Sequence, residues 1–140
     1  EIGAKRSGRT LKDIDLGGHG FIGCGKTEKG LEAVRKRLRV RIALYASTPE
    51  YRPMLEMHGW EDLFSPLIDL AHQDKWEEMG DLVTDEMLDE YAVVGRPEEV
   101  PQKLKARFGG LTQRIQMDDE WFEEMSESDI KKLVKDIQKI

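Results

Sequence analysis

The sequence predicts a mostly helical α/β chain carrying two short strands. Three observations predict it. Apolar residues recur at helical spacing over most of the 140 residues. Only Lys12–Cys24 and Thr112–Met117 carry strand-like patterning. Capping residues, prolines and glycines punctuate the helical stretches at the positions where helices start and stop.

In chain order, Glu1–Arg9 reads as the basic end of a helix broken by Gly3 and Gly8. Ile14, Leu16, Phe21 and Ile22 make Lys12–Cys24 the first strand candidate, weakened by five glycines from Gly17 to Gly25. Thr27 caps a long helix, Glu28–Ala46, on which Leu31, Val34, Leu38, Ile42 and Tyr45 repeat. After Ser47, Thr48 can cap a further helix with Pro49 as its first residue, and Pro53 predicts a kink or late start. Gly59 closes that helix. Helices are expected over roughly Pro49–His58, Trp60–Gln73, Lys75–Val83, Asp85–Tyr91 and Pro97–Phe108. Ala92–Gly95 reads as a short apolar link. Pro97 takes a first-turn position, with Glu98 and Glu99 where the helix dipole favours anions. Gly109-Gly110 ends that helix. Thr112–Met117 sets Arg114 and Gln116 against Ile115 and Met117, the alternation of a strand buried on one side. Ser126 caps a last helix striped by Ile130, Leu133, Val134 and Ile137.

No domain boundary interrupts this pattern, so residues 1–140 read as a single partial domain with 118–140 as its helical tail. No apolar run approaches the ~18 residues of a membrane span. The basic N-terminal stretch has no apolar core after it, which excludes a secretory signal there. A start at Glu1 rather than Met is expected of a processed or truncated product. The single cysteine, Cys24, precludes an internal disulfide and fits a reducing, cytoplasmic compartment. Its expected role is that of a small buried hydrophobe. A net charge of −6 disfavours nucleic-acid binding by long-range attraction. The charge is uneven: Lys26–Arg41 holds seven bases and two acids, and Asp118–Asp129 holds seven acids and no base. These read as two solvated helix faces whose attraction can guide packing or an oligomer contact.

One motif competes for attention. GFIGCGKT, Gly20–Thr27, matches the phosphate-loop pattern, with Gly20, Gly25, Lys26 and Thr27 at its defining positions. In such a loop, backbone N–H groups wrap a polyphosphate, the lysine reaches its terminal phosphates and the threonine holds magnesium. Against it, the preceding Asp13-Ile14-Asp15-Leu16 is polar and short where phosphate-loop strands are apolar. No later strand ends in a suitable aspartate either; Asp69 sits in a helical pattern. His19, His58 and His72 have no ligand spacing among themselves or with Cys24, so no metal site is expected.

Three stretches resemble the luciferase-like monooxygenase family, and within it the coenzyme F-420-dependent oxidoreductases. They are YASTPEYRPMLEMHGW from Tyr45, WEEMGDLVTDEMLDEYAVVG from Trp76, and RPEEVPQKLKARFGGLTQRI from Arg96. The likeness runs roughly from Arg9 to Met117. It implies the C-terminal portion of a TIM (β/α)8 barrel, here its last two strand–helix units. A closed barrel takes about 250 residues, so the other strands must come from the remainder of the barrel or a companion chain. A sheet of two parallel strands of ~5 residues cannot stand without neighbours. The resemblance implies F-420 or FMN as cofactor, with none bound by this chain alone, because the family's cofactor-cradling residues lie on earlier strands. Under it, Gly25 and Thr27 become the turn after the seventh strand and the cap of its helix. Lys26 then stands where the family usually has an acid, and Gly17–Gly23 where it has apolar residues.

Active sites of such barrels lie at the C-terminal ends of the strands. That places Cys24 and Gly25 at the cofactor rim. The helical insert is expected near the same rim, with Tyr45, Tyr51, Arg52 and His58 bordering a substrate or cofactor tail. No catalytic residue carries over. The expected function is therefore that of a catalytically silent segment of an F-420- or flavin-dependent oxidoreductase, forming a homo-oligomer or pairing with its missing barrel. Two alternatives stay open. One is a non-enzymatic helical module that self-associates through its strand edges and the Ile130–Ile137 stripe. The other is a nucleotide binder using Gly20–Thr27.

Overall fold

A computed structural model describes residues 1–139. Helix α1 (Ile2–Arg6) contains Gly3 rather than being broken by it, and ends before Gly8, whose φ is +67°. A 3-10 turn at Leu11–Asp13 follows, closed by Thr10 and Asp13. The first strand candidate divides at Gly20 into β1 (Gly17–His19) and β2 (Phe21–Gly25). Helix α2 (Glu28–Ala46) has the bounds its sequence predicts, with the Gly30 N–H donating to Thr27 Oγ1 at 3.1 Å. The late start after Pro49 also holds. Pro49–Tyr51 is a 3-10 turn, α3 (Arg52–His58) carries Pro53 in its first turn, and Gly59 closes it at φ +74°.

Next come α4 (Phe64–Ala71), α5 (Trp76–Asp81) and α6 (Asp85–Tyr91), then β3 (Ala92–Gly95). Helix α7 (Val100–Phe108), β4 (Arg114–Gln116), β5 (Phe122–Glu123) and α8 (Glu127–Ile137) complete the described chain. The fold class holds: a largely helical α/β chain with short parallel strands, as in a portion of a barrel. Among the described residues there are five strands, however, rather than two.

Ala92–Gly95 is a strand and not a link, paired parallel with Phe21–Cys24. Pro97 does not open α7 either. The Glu99 carboxylate accepts the Arg96 N–H at 2.9 Å and fixes a turn there, so the helix starts at Val100 with Pro101 in its first turn. That hydrogen bond is the main reason the Glu99 carboxyl titrates below its usual range.

Strand order explains the layers. One sheet runs β3-β2-β5 and β1 pairs with β4, every pairing parallel. The chain leaves β2 for a neighbour on one side and later returns to the other side. Right-handed crossovers then put α2 and α7 on opposite faces. Side-chain alternation along β2 agrees. A Cβ on Gly23 would meet Val34 and Leu38 of α2, whereas Ile22 and Cys24 face Val93, Val100, Leu104 and Leu133. On the α2 face lies the larger core, built from Val34, Leu38, Ile42 and Ala46 against Leu55, Leu67, Met79 and Met87.

Glycine is required where α2 crosses the strand. A Cβ on Gly25 would lie 2.6 Å from the Leu31 backbone nitrogen. The residues that weaken the strand by propensity are those that let the helix lie against it. At the β3 edge, Lys103 Nζ donates to the Val94 carbonyl at 2.8 Å and Arg107 donates to the Ala92 carbonyl at 3.1 Å. Cationic side chains thus take the edge carbonyls and discourage further strand pairing there.

Candidate functional site

At the carboxyl end of β2, Lys26 and Thr27 lead directly into α2, and the segment from Asp118 to Asp129 folds back over this junction. Phe122 and Glu123 pair with Cys24 and Gly25. Thr27 Oγ1 donates to Glu124 Oε2 at 2.6 Å, and Lys26 Nζ donates to Asp129 Oδ2 at 3.0 Å. Along α2, Arg37 pairs with Glu123 and donates to the Glu120 carbonyl at 3.3 Å. Arg41 lies 3.4 Å from the Glu120 carboxylate, with its guanidinium 5.6 Å from the Trp121 ring centre. The acidic and basic runs of the sequence therefore meet within one chain.

The titrating groups follow from these contacts. The Ser126 hydroxyl and amide donate to Asp129, and Lys26 adds its charge, so the carboxyl is held down to about 2. Burial pushes the Cys24 thiol up to about 12, with Glu98 and Glu99 adding to the effect. A thiol that stays protonated is a poor nucleophile, in keeping with the packing role expected of it. Glu124 adopts φ +59°, the left-handed region uncommon for a residue with a side chain, in the turn that aims its carboxylate at Thr27.

Gly20–Thr27 is not a loop, which corrects the geometry its pattern predicts. Phe21–Gly25 is extended and laddered to β3 and β5. Amides of an extended strand alternate in direction and cannot converge on one anion. Gly20 marks the break between β1 and β2, Gly25 ends the strand, and only Lys26 and Thr27 form the bend into α2. The same contacts bear on a cofactor. Lys26 and Thr27, which would meet a phosphate here, are engaged by Asp129 and Glu124. As arranged, the strand-end residues do not fit an anionic cofactor.

The helical insert lies at the other end of the sheet. Helix α2 runs back along β2 for 19 residues, a rise of about 28 Å. Tyr45 near its end therefore packs on Phe21 at the start of β2, with ring centres 5.7 Å apart. This corrects the shared rim expected for Tyr45, Tyr51, Arg52 and His58 with Cys24 and Gly25. Tyr51 meets Tyr45 edge-on at 5.3 Å, and both line a recess of about 300 Å³ with His19, Phe21, Met54 and Tyr91. His19 Nε2 sits 3.1 Å from Asp118 Oδ2 at this recess. Arg52 instead donates to Glu56 at 2.9 Å and covers Phe64, and His58 stacks on Trp60 at 4.7 Å. Of the four, only the two tyrosines come together. Among the described residues, no group of three His, Cys, Asp or Glu side chains is arranged to hold a metal ion.

The comparison with known families settles the kinship. The luciferase-like monooxygenase family matches residues 1–114. This chain belongs to that family. Similar proteins include an uncharacterized protein of Mycobacterium tuberculosis and another of Mycobacterium bovis. Each is 38% identical over 113 residues, covering 81% of this chain and 33% of the relative. The chain thus spans about a third of the length of the curated relatives it matches. The luciferase-like match ends at the first residue of β4, so Glu120, Glu123, Glu124 and Asp129 all lie beyond it. No residue-type motif pointed to these four; the one signal was the run of acids facing a run of bases. No helix among the described residues is long and apolar enough to cross a membrane.

Proposed function

We propose that this chain is the C-terminal portion of a luciferase-like F-420- or flavin-dependent oxidoreductase, supplying scaffold rather than reacting groups. The observation that carries this reading is the family match over residues 1–114 in a chain whose matched span covers a third of each relative. In such enzymes the bound cofactor supplies the hydride chemistry, and the protein orients and shields it. The residues here contribute the α2-braced sheet and the strand ends at Cys24 and Gly25. Tyr45, Tyr51, Arg52 and His58 brace the insert.

By itself the chain is silent. Cys24 is buried and protonated, and Lys26 and Thr27 are engaged by carboxylates. The partner is the remainder of a luciferase-like barrel, encoded upstream or as a companion polypeptide, within a reducing cytoplasm. Absorbance titration with F-420 and with FMN tests this reading. The chain alone is expected to bind neither. Mixing it with a separately produced N-terminal two thirds of the Mycobacterium tuberculosis relative is expected to restore binding. FMN binding by the chain alone, abolished by Lys26→Ala, would overturn the reading in favour of a phosphate site.

A further inference from the structure

We propose that residues Phe122–Ile137 are a displaceable cover, and that the surface beneath them fits a parallel β-strand from the complementary part of the barrel. The partner's identity rests on the function proposed above; the cover rests on geometry alone. Its strand contact is short, two residues against Cys24 and Gly25, whereas β3 pairs with β2 over four. Its deepest apolar contact is Leu133, 2% exposed, set over Ile22, Cys24 and Val93.

The rest of its attachment is the partly buried Phe122, Met125 and Ile137, the Thr27–Glu124 hydrogen bond, and charge. Lys26–Asp129 and Arg37–Glu123 join it to the α2 side, Arg41–Glu120 holds the residues just before it, and every one of these side chains is at least 30% exposed. Exposed pairs are screened by water and salt and hold weakly. The cover also lies wholly beyond the family match, while the strand and face it occupies lie within it.

The opposite edge of the sheet is blocked, because Lys103 and Arg107 take the carbonyls of β3. A further parallel strand must therefore join on the β2–β5 side. There it would repeat the pairing that Phe122–Glu123 makes with Cys24 and Gly25, and its alternate apolar side chains would replace Leu133. Two thirds of each relative's length lies outside the span of this chain and contains the polypeptide to supply it.

Cys24 is the only cysteine and lies under the cover, so its labelling rate with Ellman's reagent reports opening. The full chain is compared with the triple variant Glu120→Gln, Glu123→Gln, Asp129→Asn. Labelling of the variant should be roughly tenfold faster, from three weak pairs lost together, with its circular dichroism and melting temperature nearly unchanged. High salt should accelerate labelling of the unmodified chain in the same direction, without any substitution. Adding the N-terminal two thirds of the Mycobacterium tuberculosis relative should then slow labelling of the opened variant. Equal rates in parent, variant and high salt would overturn the cover. Faster labelling that the added polypeptide leaves unchanged would overturn the assignment of the surface to a barrel strand. The cofactor titration reports separately on the proposed function.

Discussion

The two faces of β2 are closed in different ways. On one, α2 presses Val34 and Leu38 against a strand that has given up its side chains at Gly23 and Gly25, and four more helices back the contact. On the other, α7 supplies Val100 and Leu104, and the outlying α8 supplies Leu133. The first face is held by close apolar packing, which is insensitive to salt. The second is closed by a smaller apolar patch, with α8 tied in by the exposed Lys26–Asp129 pair. Both covers come from one chain: the five helices of the first lie inside the family-matched region, with Trp121 adding to their core from beyond it, whereas α8 of the second lies wholly outside. Burial alone does not show which of two covers can leave; the kind of contact does.

Substitutions can sharpen this contrast. The largest effect is expected from Leu38→Ala, a fully buried residue on the α2 face, at about 4 kcal/mol of global stability. Urea denaturation should show a single earlier transition. Leu133→Ala should cost less, about 2 kcal/mol, and confine the loss to opening of α8. Amide exchange would then rise in α8 while α2 stays protected. If α2 exchanged equally faster, the contrast between the faces would be lost. Thr27→Ala touches both regions, because its hydroxyl caps α2 and also donates to Glu124. About 1 kcal/mol is expected, measured as a shift in the urea midpoint.

Acid should give the gentlest effect. The Asp129 carboxyl is depressed in the folded chain, chiefly by Ser126 and then by Lys26. Its contribution is therefore fully present above its ordinary value of 3.8 and is lost as pH falls through about 2. The urea midpoint should fall slightly over that interval, and Asp129→Asn should remove the dependence.

Local features were legible in the sequence because local chemistry determines them. Thr27 and Ser126 each accept an amide hydrogen at the helix starts they were expected to cap, and the helices Glu28–Ala46 and Asp85–Tyr91 have the predicted bounds. The β3 strand was not legible. Four apolar residues between two helices show no period, and they become a strand only because Phe21–Cys24 lies alongside. The two-residue β5 depends still more on a distant partner. The position of Tyr45 and Tyr51 was not legible for a geometric reason: a helix returning along its strand carries its last residues to the strand's beginning. The glycines of β2 read as weakness, and only the approach of Leu31 and Val34 shows why they are needed. At the candidate site, the charge runs announced an attraction but not its register on Lys26, Thr27 and Arg37.

Native-state hydrogen exchange across a denaturant series tests most directly whether the two covers are separate. Amides of α8 from Ile130 to Ile137 are predicted to exchange through a partial opening, at lower free energy and with weaker denaturant dependence than those of α2 from Val34 to Ile42. A common free energy and a common denaturant slope for both helices would contradict this, and would make residues 1–139 a single cooperative unit with no detachable cover.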